Sequence, residues 1–154
     1  MPPAMPFEPR TPDYQARVEQ SFGRQGMMKT LGVELVRVTP GEVELRLPYH
    51  ESLTQQHGFI HGGVVSTALD SACGYAAFSL MPAEAAVLTV EFKVNLLSPA
   101  RGEHFSFTGT VVKPGRSVTV AQGDAHAFSG GESKLIACMT ATLMTITGRA
   151  GIHG

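Results

Sequence analysis

Asp70 is the one charged side chain in residues 61–82, His-Gly-Gly-Val-Val-Ser-Thr-Ala-Leu-Asp-Ser-Ala-Cys-Gly-Tyr-Ala-Ala-Phe-Ser-Leu-Met-Pro. The rest of that stretch is small or apolar, and a helix apolar on most faces is normally buried in a core. An ionised carboxylate there costs on the order of several kcal/mol unless something compensates it. A carboxylate kept in such a place is either a structural group satisfied by backbone donors or a chemical one, a general base or a nucleophile. Gly62 and Gly63 stand at the head of the same stretch. With no side chains, their N–H groups can approach a ligand closely, and a helix N-terminus favours negative charge. One well-aimed donor to a developing oxyanion is worth roughly 3 to 4 kcal/mol; the alternative is a tight turn and nothing more. His61 precedes the glycines and is read as fixing the loop by a local hydrogen bond. His57 and His61 are four apart, a spacing that invites zinc, but Gly58 argues against a helix there and no third ligand is evident.

These residues need elements to hold them. Residues 1–12 carry Pro2, Pro3, Pro6, Pro9 and Pro12, which predicts an extended or disordered tail. Asp13 can cap a short amphipathic helix on which Tyr14, Val18 and Phe22 recur, ended by Gly23 and Gly26. Met27, Met28 and Leu31 form a soft apolar cluster, either core or, with Phe22, the wall of an apolar pocket. Strands are predicted over 33–38 and 42–47, around the turn Thr39-Pro40-Gly41, with a polar loop over 48–60. After the central helix come strands over 86–97, 104–112, 117–128 and 134–146, joined as antiparallel hairpins. One apolar helix is buried only if a sheet curls around it, so the expected class is α+β, a curled antiparallel sheet around one long helix. The domain is expected over 13–148, with a short tail over 149–154. An uncovered sheet edge would remain, and pairing with a second copy is expected.

Composition narrows the functional classes. The chain has 154 residues, 43% hydrophobic and 16% charged, as one globular domain should. A net charge of -1 leaves no basic footprint for nucleic acid. No apolar run is long enough to span a membrane, and the N-terminus lacks the apolar stretch of a signal peptide. Cys73 and Cys138 make no disulfide framework and are read as reduced core residues of a cytoplasmic protein.

His61-Gly62-Gly63, Asp70 in the following helix and the strand from Val87 to Lys93, running to Leu97-Ser98-Pro99-Ala100, together resemble the PaaI-like acyl-CoA thioesterases of the hot-dog superfamily. The resemblance covers about residues 22–146. His-Gly-Gly also occurs in α/β-hydrolase oxyanion loops, but this chain has no Gly-x-Ser-x-Gly and is short for that fold.

The resemblance implies a role at each position. Gly62 offers the N–H that polarises the thioester carbonyl, Asp70 is the catalytic carboxylate, and Gln55 helps place the carbonyl or the water. Thr89 holds the water or the carboxylate. His61 and Gly63 shape the substrate loop, and the hairpin residues Lys113, Gly115, Arg116 and Ser117 meet the pantetheine and nucleotide of CoA, whose phosphates Arg suits. Some relatives carry Thr one helical turn after the carboxylate; here Gly74 stands in that place, so hydroxyl help falls to Thr89. The implied reaction is hydrolysis of an acyl-CoA thioester without metal or redox cofactor, in a homodimer or a dimer of dimers (a homotetramer). A non-catalytic acyl-CoA binding protein is the alternative, though the short tail is no output domain. A hydratase would want a His beside Asp70.

Overall fold

A computed structural model describes residues 7–154; the expectation for residues 1–6 lies outside the described residues. Residues 7–12 form no regular element, and Phe7 lies against the core beside Gly41. Helix α1 runs over Tyr14–Arg24 and α2 over Gly26–Leu31. The chain then forms β1 (Glu34–Thr39), β2 (Glu42–Pro48), a 3-10 turn (Glu51–Leu53), α3 (Gly62–Phe78), β3 (Ala86–Leu96), β4 (His104–Lys113), β5 (Val118–Ser129) and β6 (Glu132–Ile146). No helix among the described residues is long and apolar enough to cross a membrane.

Side-chain alternation builds the core. On β2, Val43, Leu45 and Leu47 are buried while Glu42, Glu44 and Arg46 face outward; Phe105 and Phe107 do the same on β4. All strands but β1 pack substantially on α3, whose Ala68, Leu69, Ala72, Cys73, Ala76 and Ala77 are essentially inaccessible to solvent. Small residues set the helix–sheet distance: a Cβ on Gly109 of β4 would lie 2.3 Å from the Ala72 carbonyl carbon. Strands beneath α3 carry Ala121, Gly123, Ala125, Ala137 and Ala141 for the same reason. This is the hot-dog architecture that the sequence leads one to expect.

The strand order is β1-β2-β4-β5-β6-β3, antiparallel throughout. β3 therefore does not form a hairpin with β4, contrary to the sequence reading. It pairs with β6 at the far edge, and the connection 97–103 crosses back over the ends of β6 and β5. Its backbone traces the path: Leu97 and Ser98 N–H donate to Ile136 O at 2.8 and 3.2 Å, and Glu103 N–H donates to Phe128 O at 2.8 Å. A reader of the linear sequence sees a Pro/Gly break between two strands; only the bonds to β5 and β6 show that the break spans two strands.

Three local expectations also change. The chain past Gly26 folds into α2, with Met28 buried but Met27 54% exposed, so the Met cluster is split between core and surface. Asp13 sits at the N-cap of α1 without a side-chain capping bond. The central helix ends at Phe78, and Ser79–Met81 continue as a buried turn.

The two sheet edges differ in chemistry. β1 is charged, Arg37 pairing with Glu42 at 2.6 Å and Glu44 at 3.5 Å across to β2. β3 exposes Leu88, Val90, Phe92 and Leu96 along an unpaired edge.

Candidate active site

The head of α3 is fixed by His61. Its Nδ1 accepts the Gly63 N–H at 2.8 Å, and its carbonyl accepts from Val64 N at 2.9 Å and Val65 N at 3.2 Å. Three of the first four helical donors are thereby used. The Gly62 N–H is left with no acceptor among the described residues. That donor sits at the positive end of the helix dipole, the place where an oxyanion is stabilised. A Cβ there would lie 2.6 Å from Leu96 Cδ1, so any larger residue would have to turn that exposed side chain aside at the mouth of the site.

Gly62 shares a cavity of about 380 Å³ with Gln55, Phe59, Val65, Leu97 and Pro99. Gln55 is set by a tight turn: its side-chain Oε1 accepts the His57 N–H at 2.5 Å, and its main-chain N–H donates to Phe59 O at 2.9 Å. The side-chain oxygen being occupied, the Gln55 amide NH₂ is the free end, a second donor beside Gly62.

Asp70 lies two helical turns further on. Thr89 Oγ1 donates to Asp70 Oδ1 at 2.7 Å. Thr89 borders an irregularity in the β3–β6 register between Thr89 and Glu91, a place where a strand re-aims a side chain. Burial pushes the half-buried Asp70 carboxyl above its ordinary value, while the Thr89 hydrogen bond pulls it back down. A second cavity, about 290 Å³, opens on Asp70 and Thr89 and is walled by Gln25, Tyr75, Phe78 and Val87. Its polar rim is ordered by Ser71 Oγ donating to Gln25 Oε1 at 2.8 Å and by Ser21 Oγ, 3.2 Å from Tyr75 Oη. Burial raises the Tyr75 phenol, keeping it neutral. Beneath Asp70, the Cys73 thiol is pushed up to about 12, chiefly by burial, and is inert.

The eight-residue step from Gly62 to Asp70 corresponds to about 12 Å along α3 at 1.5 Å per residue. Within one chain the free N–H and the carboxylate therefore cannot act on the same carbonyl group, and they line different cavities.

The β4–β5 hairpin stands apart from both. Gly115 and Arg116 border a third cavity of about 350 Å³ with Phe7, Arg10, Leu80 and Met81, at the C-terminal end of α3. Lys113 and Ser117 are exposed and line none of these cavities; Ser117 O accepts from Thr145 N at 2.9 Å. Gly115 is held tightly, since a Cβ would lie 2.0 Å from Val118 O. Of the residues singled out in the sequence, the structure brings Asp70 together with Thr89 and Gln55 together with Gly62. Sequence reasoning missed Gln25, Tyr75 and the residues 151–154 that border the Asp70 cavity. Tyr75 is legible as a polar tip in the central helix; Gln25 and 151–154 arrive from distant parts of the chain with no local signal.

Comparison with known proteins gives the family. The sequence profile of the thioesterase superfamily matches residues 57–134, from His57 through α3 into β6. A thioesterase family protein from Silicibacter pomeroyi superposes with a TM-score of 0.87 at 62% identity, over 88% of this chain and 99% of that one. A Halobacterium salinarum protein provisionally named an esterase is 36% identical over 115 residues, 71% of this chain and 76% of that protein. The medium/long-chain acyl-CoA thioesterase YigI of Escherichia coli is 28% identical over 131 residues, 75% of this chain and 83% of that protein. A free glycine donor heading a buried helix, a carboxylate two turns along it and a match over half the sequence lead to one conclusion: the chain belongs to the thioesterase superfamily.

Proposed function

We propose that the protein hydrolyses acyl-CoA thioesters in a site shared by two copies of the chain. The observation that carries this reading is the separation of two half-sites on α3, a free Gly62 N–H beside the Gln55 amide and, about 12 Å away, a carboxylate held by Thr89. A second copy related by two-fold symmetry supplies the missing half to each. The apolar β3 edge, where Leu88, Val90 and Phe92 are exposed, is the surface on which that pairing is expected. Two such dimers pairing through other faces give the tetramer of this reading.

In this reading the thioester carbonyl oxygen accepts hydrogen bonds from Gly62 N–H and Gln55 of one copy. Asp70 of the other either takes a proton from the attacking water or attacks the carbonyl carbon itself, giving a mixed anhydride that water opens. In both routes the C–S bond breaks, water oxygen ends in the free acid, and CoA leaves as the thiol. Arg116 and its hairpin contact the CoA phosphates. Reduced Cys73 and Cys138 suit a cytoplasmic setting. Membership of the thioesterase superfamily and the likeness to YigI support the substrate class.

The test is release of free thiol from a panel of acyl-CoAs, followed with a thiol reagent. Turnover of one or more members well above the Asp70→Ala background is expected. Tight acyl-CoA binding without thiol release would instead identify a binding protein, and the hydrolase reading would be dropped.

A further inference from the structure

The chain does not leave the molecule after β6. Gly148 and Gly151 adopt positive φ of 68° and 78°, conformations that favour glycine. Ile152 N–H donates to Arg149 O at 3.3 Å, and the chain doubles back so that residues 151–154 border the cavity holding Asp70 and Thr89. The segment has a defined seat. Arg24 of α1 donates to the Gly154 main-chain oxygen at 2.5 Å. Gly154 approaches Phe78 and Ala85 so closely that a Cβ would lie 2.5 Å from the Phe78 ring and 2.8 Å from Ala85 O. Ile152 is the half-buried apolar side chain of the segment, facing a cavity whose other walls include Tyr75, Phe78 and Val87.

We infer that residues 151–154, latched by Arg24, form a wall of the acyl subsite and set the length of acyl group accepted. The volume gives the scale. A cavity of roughly 150 Å³ takes one benzene, so about 290 Å³ accommodates one ring with a short linker or a chain of moderate length. An extended long chain would have to displace the wall. The inference deepens the thioester-hydrolase reading and rests on it.

The experiment compares the full chain with three variants: deletion of 151–154, Ile152→Trp and Arg24→Ala. Size and thermal midpoint are checked first. Two readouts are taken over the same series of chain lengths, from butyryl to palmitoyl. One is kcat/KM for acyl-CoAs; the other is calorimetric affinity for the matching S-alkyl-CoA thioethers, which cannot be hydrolysed. Deletion should raise the long-to-short preference by about tenfold or more, the weight of one or two methylenes in an apolar pocket. Arg24→Ala should move it in the same direction by less, and Ile152→Trp in the opposite direction. Should deletion prevent folding, the two point substitutions decide by the same criterion. An unchanged chain-length ranking in both readouts overturns the wall. If the parent releases no thiol but thioether ranking still shifts with the variants, the hydrolase reading fails and the wall stands.

Discussion

Thr89 Oγ1 stands 2.7 Å from Asp70 Oδ1, so a hydroxyl from β3 holds a carboxylate presented by α3. Two elements that pack on each other are also tied here by a side-chain hydrogen bond. The bond opposes the effect of burial, favouring the ionised form that a base or nucleophile requires.

Replacing Asp70 by Asn keeps the shape and removes the charge. The kcat should fall by about 10²- to 10⁴-fold, the usual weight of a positioned base, while the fold holds. Because burial raises the Asp70 carboxyl, the folded state binds that proton more tightly than the unfolded chain. The stability contributed by the protonated Asp70 carboxyl is therefore full at pH below the unfolded value and lost as pH rises through the folded one. Asp70→Asn should accordingly raise the thermal midpoint at neutral pH, with the gain vanishing below about pH 4. Turnover within a few-fold of the parent would remove Asp70 from the chemistry.

Thr89→Val deletes the donor at constant volume. A hydrogen bond to a charged group is worth about 1.5–3 kcal/mol, so kcat should drop roughly 10- to 100-fold. Losing the bond that holds the carboxyl down should also move the acid limb of the kcat/KM–pH profile to higher pH. Thr89→Ser, which keeps the hydroxyl, should restore both. A profile with the acid limb unmoved in the Val variant would show that Thr89 acts otherwise.

Gln55→Ala and Asp70→Ala test the two-chain site together. Each is first shown to be nearly inactive after refolding alone. Unfolded, mixed equally and refolded, random pairing makes about half the dimers mixed, each with one intact and one doubly damaged site. Activity should return to about a quarter of the parent's. Native-like mixed dimers without recovery would mean that one chain supplies both residues.

Arg116 borders a cavity that contains neither Asp70 nor Gly62, so its contribution should be to binding alone. Arg116→Ala should raise KM for acyl-CoA several-fold and leave kcat nearly unchanged. The effect should shrink for an acyl-pantetheine lacking the nucleotide. An equal loss with both substrates would place Arg116 away from the phosphates.

Much of this arrangement was legible in the sequence because it rests on local contrasts. A charge inside an apolar helix points to Asp70 whatever surrounds it, and alternation on β2 and β4 gives the curled sheet. Thr89 and Gln55 were reachable only through the family resemblance, since a threonine on a strand and a glutamine in a polar loop are ordinary. Their positions depend on the register change near Thr89 and the His57 turn, which no spacing rule reports. The place of β3 beside β6 and the return of residues 151–154 are products of long-range closure. Linear order is silent about both.

Gly109 lies on β4, remote from Thr89 and lining none of the three cavities, yet its missing Cβ is what lets the Ala72 backbone, two residues past Asp70, settle on the sheet. Any side chain at 109 would lever that turn of α3 outward and pull the carboxylate from its hydroxyl partner. In a screen of random variants, position 109 would therefore score among the inactivating sites while touching no substrate, and a map of sensitivity read as a map of contact would misplace the active centre.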